Sequence, residues 1–384
     1  MFFLSQNHEQ QERYKDLLKV TGSISRMYSD NVVPYLYYRA AENIFCKAFD
    51  AENLSRGDVS ADASKNDLGI GLKTFLHSNG NTLQKIAEFN KGATDYQTLD
   101  PSDIVESISK MRNERIEFTK RAHGLNQMIY HLVTRQKERF NIFEEDMDLI
   151  DLSSIRITKT DNNNIYFNDK FHEYKFDRSK STLSKRFTTK KPIVYFDVKI
   201  MDDPYNFLLN SIPKTTSLVA AEEMADYSTL NDYIYLPLYS TRTKEVHRAS
   251  GLNQWNAKGR TRHPDELYIP IPIWIHRRFS GFFPFDLKSG KEGEPFKLEL
   301  PDKTVIDAKI CQANGKALMS NPNRALGNWL LRKVLRIKPG QKVKYQDLEN
   351  IGIDSVIISK VSDSYFRIDF TGLGSFEKFE EENK

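Results

Sequence analysis

The sequence predicts an α+β protein of two domains, on three observations. Its 384 residues exceed one ordinary core, since domains usually hold ~100–200 residues. The first part mixes helical and strand patterns, whereas the last third is a run of short strands broken by only two helical pieces. The chain is 39% apolar and 28% charged, enough apolar matter to fill cores and too much for a disordered chain. The first domain is assigned to residues 1–232 and the second to 233–384, across a soft boundary without a Gly/Ser-rich or Pro-rich linker.

Residues 1 to about 50 read as helical. In SDNVVPYLYYRAAENIFCKAF the expected cap is Ser29 or Asp30, Pro34 marks the first turn, and Leu36, Ala40, Ile44 and Ala48 recur at helical spacing. From Asp58 to Phe75 the pattern becomes two short strands joined by the polar turn SKND, with Gly69 and Gly71 in the second. NTLQKIAEFNK is expected to open a helix at Thr82, and PSDIVESISKMRNERIEFTKRAHG reads as a long amphipathic helix between Pro101 and Gly124. NIYFN, EYKF and PIVYFDVKI read as strands, and TSLVAAEEMADYSTLN as a helix.

In the last third ELYIPIPIWI, FKLELPD, TVIDAKIC, KVKYQDL, SVIISKV and YFRIDF read as strands, with helical pieces at HRRFSGF and NRALGNWLLRKVL. Such spacing predicts a small barrel or sandwich. Trp274 and Trp329 lie in apolar runs and are expected in its core, whereas Trp255 sits among polar neighbours. No repeat of fixed period is present.

Several function classes are disfavoured. Cys46 and Cys311 stand far apart without ligand spacing, so neither a disulfide framework nor a zinc site is expected, and a reducing cytoplasm fits. The N-terminal MFFLSQNHEQQERYK has only a short apolar stub, and no run approaches the ~20 residues of a membrane span, so no membrane partner is expected. The net charge of +4 says little, but between Arg242 and Arg278 eight basic residues face three acidic ones.

Two loops in this region carry the side chains that read base edges, Arg and Lys for guanine, Asn and Gln for adenine. The first, SGLNQWNAKGRTRHPDE, offers Asn253, Gln254, Asn256, Lys258, Arg260 and Arg262 around Trp255, with guanine expected at Arg260 or Arg262. The second, CQANGKALMSNPNRALG, offers Gln312, Asn314, Lys316, Asn321, Asn323 and Arg324, with Lys309, Arg332 and Lys333 placed to hold phosphates.

SGLNQWNAKGR, DELYIPIPIWIH, FFPFD, CQANGKALMSNPN, LGNWLLRKVL and GIDSV closely resemble the C-terminal region of NgoFVII-type restriction endonucleases, over roughly Tyr233 to Phe379. That region is a B3-like domain related to plant B3 transcription-factor domains. The resemblance implies an all-β seven-stranded pseudobarrel that clamps the DNA major groove between two arms. By position these arms are SGLNQWNAKGRTR, braced by Trp255, and QANGKALMSNPNR.

NgoFVII-type enzymes are similar to phospholipase D in their N-terminal half and need His-x-Lys followed by Asp. None of the eight histidines here begins that motif, and His77, His131 and His172 open HSN, HLV and HEY. A nuclease of the HNH type finds no support either. The N-terminal half instead resembles the PD-(D/E)XK nucleases, whose mixed sheet is flanked by helices. Their core has a helix bearing Glu and then a hairpin bearing Asp, a second acid and Lys. There carboxylates hold Mg²⁺, which activates water, and the Lys orients that water. By this resemblance Glu42 sits on the helix, Asp62 ends the first strand, and Lys73 lies on the second. The second acid would fall at Gly71, and Glu88 or Asp67 are the candidates to replace it. Asp197 and Lys199, with Asp177 as partner, form a rival set.

The expectation is a type II restriction endonuclease that hydrolyses double-stranded DNA with Mg²⁺. It would act as a homodimer beside a cognate DNA methyltransferase, because a symmetric pair matches a palindromic site. The alternative is a DNA-binding regulator without catalysis.

Overall fold

The computed structural model describes residues 1–55, 59–89, 99–211, 233–287 and 293–384. The expected helix TSLVAAEEMADYSTLN lies outside the described residues. The chain packs as two compact units. Among the described residues, the first comprises 1–55, 60–89, 99–116 and 126–211, and the second takes Val59, 117–125 and everything from 233 onward.

The first unit opens with helices Phe2–Ser5, His8–Ser23 and Tyr38–Phe49. Its described strands are β1 (Glu52–Asn53), β2 (Ala63–Lys65), β3 (Leu68–Leu76), β4 (Asn81–Glu88), β5 (Gln127–Gln136), β6 (Arg139–Asp146), β7 (Arg156–Thr160), β8 (Asn164–Asn168), β9 (Glu173–Asp177), β10 (Thr182–Thr188) and β11 (Val194–Asp197). They form a six-stranded sheet in the order β1-β2-β3-β5-β6-β11 and a five-stranded sheet in the order β4-β10-β9-β8-β7. Only β3 and β5 pair in parallel in the first sheet. A parallel pair needs a long crossover, and the helix Pro101–His123 lies within it.

The expected hairpin is present as β2 and β3, with Asn66 at φ 54° in its two-residue turn, a left-handed conformation that Asn tolerates. Strand β5 is absent from the sequence reading. Its QMIYHLVTRQ is buried on both faces, so it lacks the alternation that marks a half-exposed strand. The expected cap at Ser29 or Asp30 is not used, because the helix begins at Tyr38 and Tyr37 supplies no side-chain cap.

A second correction concerns NTLQKIAE, expected as a helix and observed as β4. Leu183 of β10 pairs with Ala87 and Ser184 with Lys85, so Ile86 is an extra residue in a bulge. Ile86 and Ala87 both reach the core of the second sheet. The bulge therefore creates the spacing Leu83, Ile86, Ala87 that imitates a helix.

Two cores result. The helices His8–Ser23 and Tyr38–Phe49 cover Ala63, Ile70, Leu72, Ile129 and Val133 of the six-stranded sheet. A buried chain stabilises this face: the Tyr14 hydroxyl lies 3.0 Å from Nε2 of His131, whose Nδ1 lies 3.0 Å from Glu144. Ile104, Val105 and Ile108 of the long helix pack with Ile165, Phe167, Tyr174, Phe176 and Leu183 of the other sheet.

The second unit holds β12 (Tyr233–Pro237), β13 (Ile269–Pro270), β14 (Phe296–Glu299), β15 (Val305–Cys311), β16 (Ala317–Ser320), β17 (Ile353–Ser362) and β18 (Tyr365–Gly372). Their order, β12-β17-β18-β14-β15-β16-β13, makes a seven-stranded sheet. Its edge strands β12 and β13 approach each other, so the sheet is nearly closed into a barrel. Only β14 and β18 run parallel. Trp329 is buried in the core and stacks on Phe370 at 5.3 Å, while Trp274 and Trp255 pack at its margin.

Two strand expectations fail here. In KVKYQDL the backbone N–H of Lys344 donates to the Asp347 carboxylate at 2.7 Å and starts a helix, Tyr345–Ile351, which Gly352 ends at φ 83°. In ELYIPIPIWI only Ile269–Pro270 pairs as a strand, and a helix begins at Ile273 right after Pro272. That helix ends at Arg278, so the expected HRRFSGF piece covers only its last turn.

Candidate functional site

In the first unit the candidate chemistry gathers around Asp62. It does not end the first strand, as expected, but stands one residue before β2. Its backbone N–H donates to Ile70 O at 2.8 Å although Ile70 is already opposite Ala63, and its carboxylate accepts the Leu72 N–H at 2.7 Å. Burial raises the Asp62 pKa above the ordinary carboxylate range, against the pull of the Lys73 charge, the Leu72 N–H and Arg39.

Glu42 is buried on the helix Tyr38–Phe49. Its pKa is also raised, first by burial and then by the negative charge of Asp62, while Arg39 at 2.9 Å opposes the shift. Arg39 also donates to Ser55 O at 3.0 Å. The sequence reading missed Arg39, although it stands one helical turn before Glu42. Cys46 of the same helix senses the same field, since burial and then Glu42, Asp62 and Glu52 push its thiol up to about 11.

Ile70 and Leu72 point into the core beneath the helices, so Gly71 and Lys73 face the other way. A Cβ added at Gly71 would stand 2.5 Å from the Met147 methyl and 3.2 Å from the Tyr130 ring. Those side chains fill the place of the second acid. Neither proposed substitute lies in this cluster. Glu88 ends β4 in the other sheet, not a helix, and binds Lys85 at 2.8 Å. Asp67 stands at the hairpin turn, about 13 Å along the strand from Gly71, and accepts from Asn126 at 2.7 Å.

The rival set is dispersed as well. Asp197 lies on edge strand β11, with its side chain 75% exposed and paired with Arg139 at 2.8 Å. Asp177 caps a turn through Ser179 at 2.7 Å and the Lys180 N–H at 3.1 Å. Among the described residues no group of three or more His, Cys, Asp or Glu could hold a metal ion. Two carboxylates do suit Mg²⁺, which is commonly held by one or two carboxylates together with waters and substrate phosphates.

In the second unit the two arms divide into groups that build the loop and groups that stay available. Asn253 is fully buried: it donates to His247 O at 3.1 Å and Val343 O at 2.9 Å, and accepts from the Val343 N–H at 2.9 Å. It fixes the arm and has no edge left for a base. Gln254 is buried, with no partner for its Oε1, and Asn256 donates to Arg248 O at 2.9 Å. Lys258 is exposed at the tip beside Gly259. Arg260 forms a two-pronged pair with Glu266 at 3.1 and 2.6 Å, and Arg262 donates to Ala257 O and Arg260 O at 3.4 and 3.3 Å.

The second arm begins with Gln312, Asn314 and Gly315 at φ 67°, 61° and 64°. Asn314, Lys316, Asn321 and Arg324 are exposed, and Gln312 and Asn323 half-buried. Of the expected phosphate holders, Arg332 is consumed within the protein: it donates to Asp265 at 2.7 Å, Pro264 O at 2.7 Å and Ile337 O at 2.5 Å. Lys333 remains exposed, 3.7 Å from Asp302. Gly327 permits this tie, because a Cβ there would lie 1.7 Å from Asp265 O. The end of the first arm is thus fastened to the helix that follows the second.

No helix among the described residues is long and apolar enough to cross a membrane. A search of curated proteins returned no match to the chain. A protein-family model does match: residues 231–362, which carry both arms and most of the barrel, are similar to the NgoFVII C-terminal B3-like DNA-binding domain.

Proposed function

We propose that the chain is a type II restriction endonuclease, with a nuclease domain over residues 1–232 of the PD-(D/E)XK kind and a recognition domain over 233–384. The observation that carries the DNA partner is the match of residues 231–362 to a B3-like DNA-binding domain from a restriction enzyme. What supports catalysis is the succession of Glu42 on a helix, Asp62 at a hairpin and Lys73 on its second strand, with Asp62 coupled to both other groups. In this reading Glu42 and Asp62 hold Mg²⁺ and Lys73 orients the attacking water toward the scissile phosphate. Glu88 and Asp67 become accessory at most. The ion supplies activation of water and neutralisation of phosphate charge. Asn314, Lys316, Asn321, Asn323, Arg324, Gln312 and Lys258 face the DNA with Arg260. Asn253, Gln254, Trp255, Asn256 and Arg262 shape the first arm.

The enzyme would work as a homodimer in the cytoplasm, one site per strand, alongside a methyltransferase that protects the host site. Incubating the full chain with plasmid and Mg²⁺, with an EDTA control, tests the reading. Discrete fragments that EDTA suppresses are expected. Intact DNA of every methylation state would leave a sequence-reading regulator, the second proposal. That proposal is favoured by one observation, the Met147 and Tyr130 side chains standing where the second acid belongs.

A further inference from the structure

We propose that Glu266 is a positioning residue for base readout, presetting Arg260 so that one free edge of its guanidinium pairs with a guanine. The inference rests on the reading of the second unit as a DNA-recognition domain. A guanidinium has five N–H donors in a fixed plane. Both hydrogens of Arg260 Nη1 are engaged, by Thr261 O at 3.1 Å and Glu266 Oε1 at 3.1 Å. One hydrogen of Nη2 goes to Glu266 Oε2 at 2.6 Å. The remaining Nη2–H and the Nε–H lie on the same edge, parallel to each other. That pair matches the O6 and N7 acceptors that guanine presents in the major groove.

The surroundings separate a device of this kind from an ordinary surface ion pair. The Glu266 side chain is only 7% exposed, whereas that of Arg260 is 53% exposed. Glu266 is itself anchored, accepting the His263 N–H at 3.1 Å. A fixed carboxylate therefore holds a presented cation, and the rotamer freedom of the long arginine is lost on folding, not on binding. Arg262 has no comparable freedom. Its Nη1 donates to Ala257 O and Arg260 O, and its Nε is buried without a partner. Of the two arginines weighed for guanine, the geometry points to Arg260.

The test is a binding-site selection with the full chain, followed by competition among single-base variants of the selected duplex. Wild type is expected to select a defined site with a guanine at one position. Arg260→Ala and Glu266→Gln should both relax that position by about 5- to 150-fold, the range of one bidentate contact. Other positions and the salt dependence of binding should stay as in wild type for Glu266→Gln, since no phosphate-binding charge is removed. The double substitution should lose little more than Arg260→Ala alone. A merely structural Glu266 would weaken every position together, and that outcome overturns the proposal. So does an Arg260→Ala variant that changes one position while Glu266→Gln changes none. Should Glu266→Gln fail to fold, Glu266→Asp decides: it keeps the charge and draws the carboxylate back from Arg260, and must relax the same guanine while other positions stay unchanged. A wild-type chain that selects no site would defeat the DNA-recognition reading itself.

Discussion

The two candidate sites treat their polar groups in opposite ways. In the second unit several of them already have protein partners: Asn253 is locked by three hydrogen bonds, Arg332 by three acceptors and Arg260 by Glu266. In the first unit two carboxylates are buried, which makes the charge of each more costly, and the charge of Asp62 adds to the cost at Glu42. A surface that reads bases gains from rigidity, because discrimination depends on where a donor points. A centre that takes up a cation gains from unrelieved negative charge, because the ion then supplies what the fold withholds.

The largest effect is expected in the first unit. Lys73→Ala and Asp62→Ala should each abolish Mg²⁺-dependent cleavage, by three or more factors of ten at about 1.4 kcal/mol each, while specific DNA affinity stays near wild type. Glu42→Gln should follow them. Glu88→Ala and Asp67→Ala should leave cleavage within a few-fold, since both carboxylates are engaged elsewhere. Gel assays of cleavage and binding on one preparation check this, and near-normal cutting by Lys73→Ala would remove that lysine from the mechanism.

Next in size is Gly327→Ala. A methyl group cannot share 1.7 Å with Asp265 O, so either the helix or the arm must move and the Arg332 tie opens. A loss of roughly 3 kcal/mol or more is expected for overpacking against backbone. Thermal melting of the second unit reports it, and a melting temperature unchanged within a degree would show that the two loops are not fastened there.

A smaller loss should follow Asn253→Ala. The buried carbonyl and N–H of Val343 and the more accessible carbonyl of His247 would lose their partner, at about 1–3 kcal/mol in total after relaxation. Asn256→Ala, at a half-exposed site with one bond to Arg248 O, should fall within about 0.5 kcal/mol. Equal effects in denaturant titrations would contradict the division between scaffold and reader.

How far these sites were legible follows from the same contrast. Residue type located the arms, because Asn, Gln, Lys and Arg crowd two loops beside β13 and β16. It did not sort them. Asn253 and Lys258 look alike in sequence, and only the approach of Val343, ninety residues away, makes the first a structural tie. The hairpin with Asp62 and Lys73 was legible from turn chemistry and alternation. Glu88 was misplaced because a bulge gave β4 a helical spacing, and the obstruction at Gly71 comes from Tyr130 and Met147, on segments farther along the chain that carry no half-exposed alternation. Local periodicity reports one strand at a time, whereas the identity of a site depends on what distant strands bring beside it.

Another small effect is the most diagnostic of the buried carboxylates. The folded-state pKa of both Glu42 and Asp62 is raised, so the native chain holds their protons more tightly than the unfolded one. Their contribution to stability is present below the ordinary carboxylate pKa and is lost as pH rises through the folded value. Asp62→Asn removes one of the two charges and keeps an acceptor for the Leu72 N–H. In metal-free buffer near neutral pH it should therefore melt slightly higher than wild type, on the order of 2–4 °C if the relief is about 1 kcal/mol. As pH falls through the raised folded value the difference should shrink, because wild type then takes up its own proton. Mg²⁺ should reverse the order: an ion that binds only the folded wild type raises its melting temperature, and the Asn variant gains less. A variant that melts below wild type in EDTA at neutral pH, with no response of either protein to Mg²⁺, would mean that Arg39 and Lys73 already neutralise the pair. The cluster would then be a structural ion network, and the second reading, a regulator that binds DNA without cutting it, would gain accordingly.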